Sequence, residues 1–130
     1  MKTTYLCGGI NGLSDADCRD WRESVKSVLV TDTLDPMRRD YRGREDESVR
    51  DIVEGDIRDI RQSQFVLANV IRPSWGTAME IYYAWSIHVP VIAWSGDAAR
   101  ISPWLRYHCT SIHPALGAAV NDINGRAAAR

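Results

Sequence analysis

Short, continuous apolar runs alternate along the chain with longer segments whose apolar residues recur every three or four positions. The runs read as strands buried on both faces, and the longer segments as amphipathic helices. Residues 3–7 form a first strand that runs into Gly8-Gly9. Ser14 is an N-cap, Asp15 and Asp17 sit where a helix dipole favours acids, and Cys18, Trp21, Val25, Val28 and Leu29 carry a helix over 15–29. Residues 30–34 form a second strand, ended by Asp35 and Pro36. A charged loop with four arginines follows, and Val49, Ile52, Val53, Ile57 and Ile60 then mark the buried stripe of a helix reaching Gln62. Residues 65–70 and 89–94 are two further strands, separated by a helix over 77–88. Ser102-Pro103 opens a short helix through His108, residues 110–113 form a fifth strand, and a last helix over 115–123 precedes a frayed tail.

Strands alternating with helices imply an α/β fold, a doubly wound five-stranded parallel sheet with helices on both faces. Ligands in such folds sit at the carboxyl ends of the strands, near the switch in strand order. The loops after Cys7, Leu34, Asn69 and Trp94 are therefore where a site is expected. There is no internal repeat or linker, and residues 1–130 read as one domain.

Composition narrows the function. With 16 Lys plus Arg against 17 Asp plus Glu, the net charge is -1, which does not suit a partner such as a nucleic acid polymer. No apolar run is long enough to span a bilayer, and no signal-peptide pattern is present, so no membrane partner and a cytoplasmic location are expected. Cys7, Cys18 and Cys109 form no C-x-x-C pair and read as free thiols. His88, His108 and His113 lack ligand spacing, and no G-x-S-x-G elbow occurs, so neither a metal, another cofactor nor a serine nucleophile is expected.

Four constellations could carry chemistry. Gly8-Gly9-Ile10-Asn11-Gly12 follows the first strand, and its N–H groups could approach an anion, although a tight strand-to-helix turn needs the same glycines. Thr77 and Glu80 form a T-x-x-E capping box after Arg72-Pro73-Ser74-Trp75-Gly76. Glu80 also lies at the ligand-binding edge, where the dipole of a first helical turn keeps a carboxylate ionised, as a nucleophile at a sugar carbon requires. Asp56 falls beside the apolar stripe of the second helix and is either paired, solvated in a cleft or a surface acid. Asp59 is one position further out and is expected to be exposed. The arginine loop, with Arg38, Arg39, Arg42 and Arg44, is either a solvated salt-bridged loop or a clamp for a base or phosphate.

The segments Y-L-C-G-G-I-N-G, D-I-R-D-I-R-Q-S and P-S-W-G-T-A-M-E, in that order, resemble the nucleoside 2-deoxyribosyltransferase superfamily. Within it the chain looks most like the 2'-deoxynucleoside 5'-monophosphate N-hydrolases. The resemblance implies a flavodoxin-like fold, a homodimer or higher homo-oligomer with shared sites, a small-molecule nucleotide substrate and cleavage of an N-glycosidic bond. It implies Glu80 as the nucleophile at C1', Tyr5 as the residue orienting it and Asp56 as the general acid toward the base. It places Gly8, Gly9, Ile10, Asn11 and Gly12 around sugar and phosphate, with Ser74, Gly76 and, from a neighbouring subunit, Ser102 also binding substrate. Serines at 74 and 102 match the hydrolases, whereas transferases carry an acid and an asparagine there. Gly9 and Asn11 depart from the hydrolases' serine and arginine, and Arg38 with its loop is the candidate for compensating. A deoxyribosyltransferase and a non-catalytic nucleotide-binding module are the rival readings.

Overall fold

A computed structural model describes residues 1–97 and 100–129. Strands β1 (Thr3–Cys7), β2 (Asp32–Leu34), β3 (Phe65–Asn69), β4 (Val91–Trp94) and β5 (Ser111–His113) form one parallel sheet in the order β2-β1-β3-β4-β5. That is the flavodoxin-like order, with its switch point between β1 and β3. The register pairs Tyr5 with Leu34 on one side and Val66 on the other, so β1 lies inside the sheet. Helices α1 (Asp15–Lys26), α2 (Val49–Arg61), α3 (Trp75–Ser86), α4 (Pro103–His108) and α5 (Leu116–Ala128) connect or follow the strands.

Strand alternation divides the core in two. Tyr5, Cys7, Val66, Ala68, Val91 and Ala93 face Ile60 of α2 and Ile81 and Ala84 of α3. Leu6, Leu67 and Ile92 face Trp21 and Val25 of α1 and Ala119, Val120 and Ile123 of α5. Tyr5 and Cys7 thus point to the same side of the sheet as α3. Among the described residues no helix is long and apolar enough to cross a membrane. Cys7, Cys18 and Cys109 are free and buried.

Several element boundaries differ from the sequence expectation. Helix α1 ends at Lys26, capped by the Ser27 N–H, and Val28 turns outward while Leu29 re-enters the core. The stripe on α2 is less buried than its periodicity implies: Ile60 is buried, but Val49 and Val53 are exposed. Helix α5 extends to Ala128, so the expected frayed tail is helical. It is held because Lys2 donates to the Ala127 carbonyl and Asn124 bonds both the Val30 N–H and the Val28 carbonyl.

Candidate active site

The β1 side chains that reach α3 end on one carboxyl group. Tyr5 donates from Oη to Glu80 Oε2 at 3.1 Å, and the Cys7 thiol donates to Glu80 Oε1 at 3.2 Å. Each oxygen of Glu80 thereby receives one neutral donor. Burial and the Glu80 charge raise the Tyr5 phenol and the Cys7 thiol well above their ordinary values, so both keep their protons.

Glu80 does not sit in the first turn of its helix. Ser74 is the N-cap of α3, accepting from the Thr77 N–H at 3.3 Å, and Thr77 is the third helical residue. The expected capping box of Thr77 with Glu80 is therefore replaced by a Ser74 cap, and Glu80 lies a turn deeper. The expectation of a carboxylate kept ionised by the helix N-terminus is corrected as well. Burial and the neighbouring Asp56 push Glu80 towards its neutral form.

Asp56 reaches this point from α2, close enough to Glu80 for each carboxyl to shift the other's proton affinity. Burial raises the proton affinity of Asp56 too, while Glu80 and Arg39 lower it. Two carboxyls this close favour holding a single proton between them, because both charged together repel in a low-dielectric site. Behind them stands an ion-pair chain. Arg39 donates to Asp56 Oδ1 at 3.3 Å and to Asp59 Oδ2 at 2.7 Å, and Arg38 grips Asp59 with two bonds of 2.9 Å. Asp59, expected at the surface, is buried. Although burial opposes its charge, Arg38 and Arg39 hold its carboxyl below the ordinary range. Gly55 makes room for this chain, since a Cβ there would come within 3.1–3.3 Å of the Arg39 guanidinium.

The loop after β1 is fixed from beneath by Arg22, whose side chain is wholly buried. Arg22 donates to the carbonyls of Leu6, Gly8 and Cys18 and lies 3.7 Å from the Asp35 carboxylate. Gly8 is pressed so closely that a Cβ would lie 2.9 Å from the Trp21 ring, and Gly12 turns the chain at φ +79°. The arginine loop is tied to α1 by a ring of ion pairs: Arg19 and Arg42 each contact both Asp15 and Asp40.

Two depressions meet at Asn11. One, of about 480 Å³, is lined by Gly9, Asn11, Ser74, Gly76 and Arg72 among others. The other, of about 120 Å³, holds Asp56 and Arg39 between Ile10, Met37, Tyr41 and Ile52. Glu80, half-buried beside Asp56 and Tyr5, is not among the residues lining either depression.

The sequence matches the family model for nucleoside 2-deoxyribosyltransferase over residues 4–125, a span that includes Tyr5, Asp56 and Glu80. The chain belongs to this family. Deoxyribosyltransferase-family enzymes act on the bond between a base and its sugar. A conserved protein from Enterococcus faecalis V583 shares the fold with TM-score 0.74 and 17% identity, over 97% of this chain and 99% of that one. The Clostridium botulinum CMP N-glycosidase BcmB does so with TM-score 0.63 and 12% identity, over 96% and 99%. No curated protein sequence matches the chain.

Within this deoxyribosyltransferase-family chain, Tyr5, Asp56 and Glu80 come together. Gly9, Asn11, Ser74 and Gly76 share one depression, and Ile10 joins Asn11 and Asp56 in the other. Gly8 and Gly12 shape the backbone instead of lining either. Arg38 is committed to Asp59, and it is Arg39 that faces the cavity. Ser102 caps α4 and lines a separate depression with Ile101, Pro103 and Arg106. Cys7 and Arg22 were missed, and Arg39 was singled out only as one member of the arginine loop. The signal for Arg22 was available, as a cation placed one residue after Trp21 on the buried face of α1.

Proposed function

We propose that this chain hydrolyses the N-glycosidic bond of 2'-deoxynucleoside 5'-monophosphates by double displacement. The observation that carries the reading is Glu80, held through both oxygens by Tyr5 and Cys7 with the Asp56 carboxyl beside it. In the reacting state Asp56 holds the shared proton and Glu80 is ionised. Glu80 attacks C1', the C1'–N bond breaks with its electron pair going to the base, and Asp56 gives the base its proton. Water then attacks C1' of the glycosyl ester, returns its proton to Asp56 and releases the sugar phosphate.

The phosphate takes the larger depression, where Ser74 and the start of α3 face Gly9 and Asn11 of the loop after β1. An acid at position 74 would repel that dianion, and serine does not. One neighbour in fold is by name a CMP N-glycosidase, which acts on the same kind of bond. The family's own name favours a second reading, transfer to an acceptor base in place of water.

Completion of the site by a second copy belongs to the same proposal. Trp75, Met79 and Tyr82 of α3 and Trp104 and Tyr107 of α4 leave an exposed apolar face, with Trp75 90% exposed. A second copy packed there brings Ser102 to its neighbour's phosphate pocket. Incubation with a panel of deoxynucleotides and deoxynucleosides, with and without an acceptor base, followed by chromatography, tests the reading. Free base from monophosphates without an acceptor supports hydrolysis. Base exchange alone supports transfer, and no reaction with any member removes both.

A further inference from the structure

The smaller depression sets a cation beside the general acid. Arg39 Nη2 lies 3.3 Å from Asp56 Oδ1, and the same nitrogen donates to buried Asp59 at 2.7 Å. The flat face left by Gly55 lets it lie against α2. Ile10, Met37, Tyr41 and Ile52 give a planar heterocycle apolar surface to lie on, while Asp40, Arg42 and Glu45 make the rest of the lining polar. Arginine carries five N–H donors and no acceptor, and Arg39 uses Nη2 alone on the two carboxylates.

We propose that Arg39 is the specificity-determining residue for the base: it donates to an acceptor adjacent to the atom that Asp56 protonates, so the site takes guanine, hypoxanthine and cytosine nucleotides ahead of adenine, uracil and thymine ones. This rests on the glycosidase reading for the role of Asp56. The chemistry of the bases supplies the rule. Guanine and hypoxanthine present N7 and O6 as neighbouring acceptors, whereas adenine presents N7 beside an amino donor. Cytosine presents O2 beside the acceptor N3, whereas in uracil and thymine N3 carries a hydrogen. A donor facing a donor leaves both unpaired in a confined site, and that mismatch carries the discrimination.

Recognition of this kind also arms the pair. Without substrate, Arg39 lies against Asp56 and favours its ionised form, which leaves the shared proton on Glu80. When a base acceptor takes one of the free Arg39 N–H groups, the guanidinium turns toward the base, its long contact with Asp56 weakens, and Asp56 takes the proton from Glu80. Glu80 is then the ionised nucleophile and Asp56 the acid. As the C1'–N bond breaks, the proton passes from Asp56 to N7 of the purine or O2 of cytosine, and the electron pair of the bond goes with the base.

The test uses calorimetric binding to the Glu80→Gln chain, which holds substrate without turnover, with dGMP, dAMP, dCMP and dUMP as ligands. Binding of dGMP over dAMP, and of dCMP over dUMP, is expected to be tighter by about tenfold each. Adding Arg39→Gln brings both ratios to near unity. Adding Gly55→Ala instead, which keeps every charge but pushes on the guanidinium, lowers them in the same direction. Absence of either preference before the Arg39 change, or its survival after it, overturns the assignment. If the glutamine variant does not fold, Gly55→Ala decides alone, and unchanged ratios there overturn it. Free-base release by the unaltered chain is measured separately. Preserved ratios without release remove the glycosidase reading and leave Arg39 as the residue that reads the base.

Discussion

Glu80 receives its two hydrogen bonds from groups that carry no charge, so they orient the carboxyl without compelling it to ionise. Glu80→Gln keeps the shape and removes the proposed nucleophile. Turnover is expected to fall by several orders of magnitude with the circular dichroism spectrum unchanged, and activity within about tenfold of the parent would exclude the nucleophile role. The same substitution has a signature in stability. Burial and Asp56 raise Glu80 from its ordinary 4.5 to about 8 in the folded chain. A raised folded value means that the folded state holds a proton which the unfolded state has lost, so this contribution is full below about pH 4.5 and disappears as pH rises through about 8. The glutamine variant lacks that loss. Its melting temperature should gain on the parent's as pH climbs across this window, and a constant difference would argue against the buried shared proton. Asp56→Asn is expected to slow poor leaving bases more than good ones, read as kcat across a series of bases. Equal losses would reduce Asp56 to a positioning residue.

Helix α3 shows how an element does two things with one residue. Ser74 ends the loop after β3 and caps the helix that carries Glu80. Ser74→Asp preserves the cap, since aspartate caps as well as serine. Melting should be unchanged while KM for monophosphates rises at least tenfold and KM for nucleosides stays put. A fall in melting temperature with no change in KM would place the phosphate elsewhere. Arg22 binds β1, α1 and the glycine loop together, and Arg22→Met orphans three carbonyls and weakens the hold on Asp35. About 3 kcal/mol or more of stability should be lost in denaturant titration. The strands β1, β3 and β4 were legible in the sequence because a buried strand leaves a continuous apolar run, and with helices between them the parallel sheet followed. The meeting of Glu80, Asp56 and Tyr5 at one point was legible through the motifs around them. The boundary at Ser74 was not, because two hydroxyl residues three apart can each cap a helix and only the loop geometry chooses. The burial of Asp59 and the choice of Arg39 over Arg38 were not, because both depend on partners about twenty positions away, and periodicity along one helix carries no sign of them.

For the whole molecule, the proposed exchange of Ser102 between copies gives a complementation experiment. A Glu80→Gln chain and a Ser102→Ala chain are each expected to be nearly inactive. In a mixed dimer one pocket carries both defects and the other neither, so activity returns to about half of the sites in each heterodimer. No return, with subunit exchange demonstrated and the Ser102→Ala parent inactive, would confine Ser102 to its own chain. The clasp of Lys2 on the Ala127 carbonyl, 3.0 Å long, has a different consequence. It brings the first strand and the last helix of the sheet within reach of each other, so a short glycine-rich linker can join residues 129 and 1. The ring can then be reopened at His88, whose backbone at φ 64° is strained for a residue with a side chain and lies in the turn after α3. Such a circular permutant is expected to fold into the same sheet, with a far-ultraviolet spectrum superimposable on the parent's, because continuity of the chain across that turn is not what holds β4 beside β3.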